Sequence, residues 1–158
     1  MEDICNAVKT FIESKLPEVL PDFTDSRTPM PPPANIVFGV VDVSRVDGKI
    51  ICAVIPGTQT ERNGSLTKGA KDSTLSIDFF CQKDRYDVLM RQMCRYAKAL
   101  EMIIRSDWTL GGAVDDVEIT ETDFSPNAGA TDFTATACEV NIIVHTSRSQ
   151  PGSFDPFS

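Results

Sequence analysis

The sequence predicts an α+β fold, with a mainly antiparallel sheet of about five strands and two helices packed on one face. Two stretches carry apolar residues at spacings of three and four, which predicts two amphipathic helices. Elsewhere, β-branched and alternating runs predict strands, several of which follow one another without an intervening helix. Consecutive strands favour antiparallel pairing, and helices on one face of such a sheet give the α+β arrangement.

The first helix is predicted from about Asp3 to Leu16, with Asp3 placed to cap its start and Pro17 and Pro21 to end it. Its apolar positions recur with helical spacing: Ile4, Val8, Phe11, Ile12, Leu16 and Val19. Residues 21–34 contain five prolines, which fix φ and remove amide donors. This segment is therefore predicted to be an extended strap that leads to the first strand.

Two β-branched runs, Asn35–Ser44 and Lys49–Ile55, predict the next two strands. Asp47 and Gly48 lie between them, and Asp-Gly is a strong hairpin signal. Both runs are apolar on both faces, which indicates cover by a helix layer on one side and by the other helix or another subunit on the second. Residues 56–71 are polar and lack a period, so they predict a long loop of the kind that is often functional.

The segment from Asp72 to Ile104 gives the strongest signal, a strand that leads directly into a long helix. Leu75, Ile77, Phe79 and Cys81 alternate with polar positions, so one face of the strand is expected to be buried and the other mostly wet. After Asp84, a suitable N-cap, one helical stripe collects Tyr86, Leu89, Met93, Tyr96, Ala97, Leu100, Ile103 and Ile104. Such a stripe is typical of a helix that packs on a sheet.

Two further strands close the predicted sheet. Gly111 and Gly112 predict a turn, and a strand with Val114, Val117 and Ile119 on its apolar side follows. A turn at Ser125–Gly129 leads to the last strand, Phe133–Thr146, with an irregularity expected before its cysteine. Residues 1–146 are read as a single domain and residues 147–158 as a tail that is flexible or docks on a partner.

The charge balance argues against several classes of function. The chain has 158 residues and a formal net charge of −8. Its basic residues are scattered, so sequence-specific nucleic-acid binding is disfavoured, whereas an acidic surface suits a passage through which DNA slides. The N-terminus is acidic and no apolar run reaches the length of a membrane span, so neither secretion nor membrane insertion is expected.

Motifs that carry chemistry are scarce. The sequence contains no phosphate-binding glycine loop and no nucleophile elbow, and His145 is its single histidine. The cysteines, Cys5, Cys52, Cys81, Cys94 and Cys138, lack metal-ligand spacing and are interpreted as small buried thiols. The acidic residues Asp115, Asp116, Glu118, Glu121 and Asp123 lack the pattern of a calcium loop and are interpreted as a solvated or interface-facing strand edge. No catalytic residue, cofactor or metal is assigned.

A larger pattern then suggests a family. The segments IDFFCQKDRYDVLMRQMCRYAKALEMII, TLGGAVDDVEITETDFSPNAG and FTATACEVNIIV follow a helix ending in LPEVLPDF. This succession of strand, amphipathic helix, glycine turn and two closing strands resembles small head-to-tail junction proteins of long-tailed bacteriophages, most closely tail terminators. The strap, the loop at residues 56–71 and the tail after Ser147 do not match the family pattern.

The resemblance implies a structural virion protein that is not an enzyme. Its subunits would form a homo-oligomeric ring, usually a hexamer, that ends the tail tube, joins it to the head-neck connector and lets DNA pass through. It would be assembled in the host cytoplasm and reside in the virion. The candidate subunit-interface residues, chosen for complementary charge or an apolar tail, are Arg85, Arg91, Arg95, Asp115, Asp116, Glu118, Phe154 and Phe157.

Two alternatives stay open from the sequence. The first is another neck or tail-completion protein, because the pattern does not separate these from a terminator. The second belongs to a different class, a small cytoplasmic α+β enzyme or ligand-binding domain with a pocket near Trp108 and His145.

Overall fold

The computed structural model describes residues 1–39, 49–62, 69–82, 86–124 and 135–147. In these ranges the elements are α1 (Glu2–Val19), a 3-10 helix (Leu20–Phe23), β1 (Asn35–Phe38), β2 (Ile51–Glu61), β3 (Lys71–Gln82), α2 (Tyr86–Ser106), β4 (Asp116–Asp123) and β5 (Ala135–Thr146). The sheet order is β1-β2-β3-β5-β4, with β1 parallel to β2 and all other neighbours antiparallel. Both helices pack on one face, which confirms the predicted α+β fold.

The core lies between the helices and one face of the sheet. The predicted inward positions of β3, Leu75, Ile77, Phe79 and Cys81, are all buried. From α2 the stripe that begins at Leu89 is buried as predicted, and Tyr96 stacks on Phe79 with ring centroids 5.0 Å apart. Stacked aromatic rings add to the free energy gained by burial, so this pair fixes α2 over the middle of β3.

The strap after the 3-10 helix is held by side chains of α2. Gln92 Nε2 donates to the carbonyl of Pro29 at 2.7 Å, Arg95 donates to the carbonyl of Phe23 at 2.6 Å, and the Tyr96 hydroxyl donates to the carbonyl of Pro31. A proline-rich segment cannot enter a sheet ladder fully, yet its carbonyls still require donors. Three side chains from two successive turns of α2 supply those donors.

The predicted hairpin at Asp47 and Gly48 is wrong. Strands β1 and β2 are parallel, with Asn35 opposite Ile51 and Phe38 opposite Val54. A two-residue turn reverses the chain and therefore joins only antiparallel strands, whereas a parallel pair needs a longer crossover. The Asp-Gly pair itself lies outside the described residues, as does the predicted part of the first strand beyond Gly39.

The predicted loop over residues 56–71 is also wrong at its ends. Strand β2 continues to Glu61 and β3 begins at Lys71, with a one-residue bulge between Pro56 and Gln59. Proline within a strand is usually found at an edge or a bulge, and Pro56 lies at the start of this bulge. Residues 63–68 lie outside the described ranges.

Helix α1 is longer than predicted. It begins at Glu2 after an N-cap at Met1, so Asp3 lies in the first turn instead of capping, and it continues through Pro17 to Val19. Leu16 and Leu20 on either side of Pro17 are buried, and the amide of Leu20 bonds the carbonyl of Leu16. Burial of this last turn outweighs the one hydrogen bond that proline removes.

The last strand is regular where an irregularity was expected. Its register with β3 runs without a break from Ala135 opposite Gln82 to Thr146 opposite Lys71, and the bulge lies instead in β4 between Ile119 and Glu121. The turn at Gly111 and Gly112 is present, and both residues have positive φ. Asp84, the turn at 125–129 and the tail at 148–158 lie outside the described residues.

Candidate functional site

The sheet face turned away from the helices is rich in carboxylates. Because side chains alternate along a strand, the pairing register assigns the even positions of β3 and the odd positions of β5 from Glu139 to His145 to this face. On β4 the exposed side chains Asp116, Glu118, Glu121 and Asp123 lie opposite these β5 positions. We call the surface formed by Asp72, Asp78, Asp116, Glu118, Glu121, Asp123 and Glu139 the acidic face.

Asp78 differs from the rest of the acidic face because it is only 8 % exposed. It lies between Ala53 of β2 and Glu139 of β5, directly across the strands. Its Oδ1 atom has no hydrogen-bond partner among the described residues, although the Ser76 hydroxyl favours the charged form of the carboxylate. Burial, and then the charge of Glu139, raise the pKa of Asp78 to about 6. The acidic face thus contains a carboxylate for which the described part of the chain supplies no compensating cation.

At the other end of the same face, charges of both signs form a cluster. His145 Nδ1 lies 2.6 Å from Asp72 Oδ1, and Arg62 Nε lies 3.0 Å from the same oxygen without the alignment of a hydrogen bond. Arg62 also donates to the carbonyl of Thr146 at 3.1 Å, and His145 Nε2 lies 3.6 Å from Glu118. Both ring nitrogens of His145 therefore face carboxylates, and the cluster joins the end of β2 to β3, β5 and β4.

The side of α2 turned away from the sheet carries the opposite charge. Arg91, Lys98 and Arg105 are spaced by seven residues, so all three project on the exposed side of the helix. Cys94 and Met102 are exposed between them. Arg105 pairs with Glu101 at 2.8 Å, which leaves net positive charge along this line. We call Arg91, Lys98 and Arg105 the basic stripe.

The predicted interface residues fall into three groups. Arg91, Asp115, Asp116 and Glu118 are exposed, the first on α2 and the others at or near the start of β4. Arg95 is engaged within the chain, where it pairs with Asp25 at 2.8 Å and holds the strap. Arg85, Phe154 and Phe157 lie outside the described residues.

The sequence analysis did not identify four residues of the two charged surfaces: Asp78 and Glu139 on the acidic face, and Lys98 and Arg105 on the basic stripe. Asp78 and Glu139 were assigned to polar strand faces, but their juxtaposition depends on the register between β3 and β5. Lys98 and Arg105 show the signal more plainly, because with Arg91 they repeat every seven residues along the predicted helix. A heptad of cations on the outer side of a helix is thus the pattern that could have identified the basic stripe.

A shallow cavity of about 310 Å³ lies beside the predicted pocket residue Trp108, which is 40 % exposed. Arg105 and the backbone region of Asp116 to Ile119 line the cavity as well. Glu118 borders this cavity and also approaches His145, so one side chain connects the two residues of the predicted pocket. A groove of about 590 Å³ beside α1, near Phe11 and Leu110, is larger but open.

Of the five cysteines, Cys5, Cys52, Cys81 and Cys138 are buried as predicted. The prediction is wrong for Cys94, which is exposed because it lies on the side of α2 turned away from the sheet. Burial raises the pKa of the Cys52 and Cys138 thiols, which keeps them protonated and unreactive. Over the described ranges, no cluster of three or more His, Cys, Asp or Glu side chains is placed to hold a metal ion. Within the same ranges, no helix is long and apolar enough to cross a membrane.

Comparison with known proteins does not assign this chain to a family. No protein-family model matches the chain, and a search of curated proteins likewise finds no match. The acidic face, the unpartnered oxygen of Asp78 and the basic stripe are therefore the features from which a function is argued.

Proposed function

We propose that this chain is a structural subunit of a homo-oligomeric ring at the head-to-tail junction of a long-tailed bacteriophage, of the tail terminator type. The observation that carries the proposal is the presence of two surfaces of opposite charge on the outer faces of the two layers. They approach each other at one place, the cavity that Arg105, Asp116 and Glu118 line. The acidic face lies outside the sheet, and the basic stripe lies outside the helices. Its function is then assembly, and it catalyses no reaction.

Surfaces on opposite sides of a domain favour head-to-tail association. When two different patches of one chain meet, each added copy presents the same free patches again, and the series closes into a ring if the rotation between copies permits. A contact between identical patches would instead stop at a dimer. The arrangement of charge in this chain thus supports an open series or a ring.

The assignment to a phage neck rests on the sequence resemblance and on charge. With a net charge of −8, a ring of such subunits keeps a negative field even after the acidic face has met the basic stripe. Double-stranded DNA is repelled by such a lining and slides without binding. The tail tube protein and the head-neck connector protein are the partners that this function requires.

The first experiment is the oligomeric state of the purified chain. Sedimentation velocity and light scattering should give a single species of about six subunits, and negative-stain images should show rings. A chain that stays monomeric at high concentration and also in the presence of tail tubes would contradict the proposal. Deleting the gene from the phage should yield tails of abnormal length, and pull-down with tube or connector protein distinguishes a terminator from another neck component.

The cavity beside Trp108 favours a second candidate, a small ligand-binding domain. An indole that is 40 % exposed, in a cavity that Arg105 also lines, is suited to an anionic or aromatic ligand. Trp108 is the single tryptophan, so its fluorescence reports directly on this cavity. Saturable quenching by a small molecule, on a subunit that remains monomeric, would favour this candidate over the ring.

A further inference from the structure

We propose that the basic stripe of one copy docks lengthwise on the acidic face of the next copy, with one of its cations directed to Asp78. The inference rests on the proposed ring and specifies the two surfaces that build it. The contact between two copies is then made by the outer side of α2 in one copy and the outer face of the sheet in the other.

Charge complementarity is the first support. Among the described residues, the exposed carboxylates of β4 and Glu139 of β5 form a negative surface, and His145 and Arg62 lie at one end of it. Among the side chains that the structure describes from Val88 onward, the outer side of α2 carries three cations and one carboxylate, Glu101, which is paired with Arg105. Opposed potentials of this kind guide encounter and reject contacts between like surfaces, so face-to-face and helix-to-helix pairing are both disfavoured.

The two surfaces also match in length. From Arg91 to Arg105 the stripe extends over fourteen helical residues, which is about 21 Å at the rise of an α-helix. From Glu139 to His145 the acidic face extends over six residues of β5, which is about 20 Å at the rise of a strand. If α2 of a second copy lay along β5, its three cations would therefore span about the same length as the acidic face.

Asp78 supplies the independent reason to expect a cation from outside. A buried carboxylate is normally paired, because its ionised form loses hydration and gains no compensation otherwise. The Oδ1 atom of Asp78 has no partner among the described residues, and its neighbour across the strands is a second carboxylate, Glu139. The nearest local donor is the Ser76 hydroxyl, which is uncharged. A guanidinium or ammonium group from the stripe would complete this site.

Both surfaces also carry less polar side chains that could pack against each other between the ion pairs. Met102 and Cys94 lie within the stripe and are exposed, and Ile143 is half-buried on the acidic face between Thr74 and Glu118. Apolar side chains in the middle of a charged interface exclude water and strengthen the surrounding ion pairs. The occupant that fits both the charge and the apolar centre is thus α2 of a second copy.

Paired charge reversals test the proposal. Lys98→Glu alters the stripe and Glu139→Lys alters the acidic face, and both side chains are exposed, so folding should be retained, as circular dichroism and thermal unfolding can verify. Each variant alone should lose at least about ten-fold in association constant by sedimentation, because removing one partner of a desolvated charge pair costs this much or more. The matched control is Lys15→Glu on the exposed side of α1, which should associate as the natural chain does.

Mixing the two variants gives the sharpest result. The intact stripe of Glu139→Lys can dock on the intact face of Lys98→Glu, so the mixture should associate more tightly than either variant alone. A mixture that stays monomeric overturns the proposal. Association that depends on added Mg²⁺ or Ca²⁺ and is lost with a chelator also overturns it, because a metal ion would then occupy the site at Asp78.

Cys94 provides a readout without mutation. It is the exposed thiol within the stripe, whereas the other four cysteines are buried. Alkylation of Cys94 should therefore be several-fold slower in the oligomer than in the monomeric Lys98→Glu variant. Equal rates would place α2 outside the interface. If the natural chain forms rings that every variant retains, the ring function stands and this docking is wrong. If the natural chain stays monomeric at high concentration and also with tail tubes, both proposals fail.

Discussion

At the scale of single residues, Asp78 is the position where sequence pattern and structure differ most. Alternation along β3 correctly assigns it to the face away from the helices, where a wet environment was expected. It is nevertheless buried, and its partners across the neighbouring strands are Ala53 and Glu139. The identity of cross-strand neighbours depends on register, and the sequence around Asp78 does not encode register by itself.

Replacing Asp78 with Asn should stabilise the monomer at pH 7 and above by about 1–2 kcal/mol. The pKa of Asp78 is raised to about 6 by burial, so between about pH 4 and 6 the unfolded chain has lost a proton that the folded chain still holds. The contribution of Asp78 to stability therefore falls as pH rises through this window. Asn removes this loss, and urea unfolding followed from pH 4 to pH 8 should show curves that meet at low pH and separate above it.

The same substitution should weaken self-association, since an amide cannot form the ion pair that a partner cation requires. A gain in stability together with a loss of assembly is the signature of a residue kept for binding. If the Asn variant is less stable than the natural chain at pH 8, then Asp78 has a compensating partner within the subunit, and the argument for an external cation loses its basis.

Tyr96 gives a second prediction at this scale. Its ring packs on Phe79 and its hydroxyl donates to the carbonyl of Pro31, and burial raises the pKa of the hydroxyl so that it remains a donor. Tyr96→Phe keeps the stacked ring but leaves the Pro31 carbonyl without this donor, which should cost about 1–2 kcal/mol in the free energy of unfolding. Chemical denaturation measures this cost directly. An unchanged midpoint would mean that water or another group replaces the donor.

At the scale of elements, β3 and α2 could be predicted well because their signals are local. The inward residues of β3 alternate and the stripe of α2 follows helical spacing, so neighbouring residues alone determine which face is buried. The pairing of β1 with β2 could not be predicted, since parallel and antiparallel strands read alike in sequence. Two prolines also lie where local rules disfavour them: Pro17 lies inside α1, where the last helical turn is buried, and Pro56 lies in β2 at a bulge.

The bulge in β2 makes a prediction at this scale. A Cβ atom at Gly57 would lie 2.7 Å from the hydroxyl oxygen of Thr74 and 2.8 Å from its carbonyl oxygen. The hydroxyl of Thr74 already accepts from the amide of Thr58 at 2.8 Å, so it is not readily displaced. Gly57→Ala should therefore destabilise the fold by about 1–3 kcal/mol. A thermal midpoint equal to that of the natural chain would show that the bulge relaxes freely.

At the scale of the whole molecule, the two-layer fold separates charge by side. Lys, Arg, Asp and Glu are mixed along the sequence, yet the sheet places carboxylates on its outer face while α2 turns its cations outward on the other side. The sequence predicted an acidic strand edge and charged interface residues, but it could not show that the two charged surfaces lie on opposite sides. That relation appears only when β4 pairs with β5 and α2 packs across them.

Association through these surfaces should be sensitive to salt. The screening length falls from about 10 Å at 0.1 M ionic strength to about 3 Å at 1 M, so exposed ion pairs between copies lose most of their attraction over this range. We expect the association constant of the natural chain to fall by at least about ten-fold between these conditions, as measured by sedimentation equilibrium.

Thermal unfolding of the monomeric Lys98→Glu variant is the control for this effect. The core between the helices and the sheet is apolar, so its stability should change little or rise with salt while association weakens. If high salt instead strengthens association of the natural chain, the contact is mainly apolar. The exposed Phe38 on edge strand β1 would then be a better candidate for the interface than the acidic face, because an edge strand with an exposed aromatic residue can also add to a neighbouring sheet.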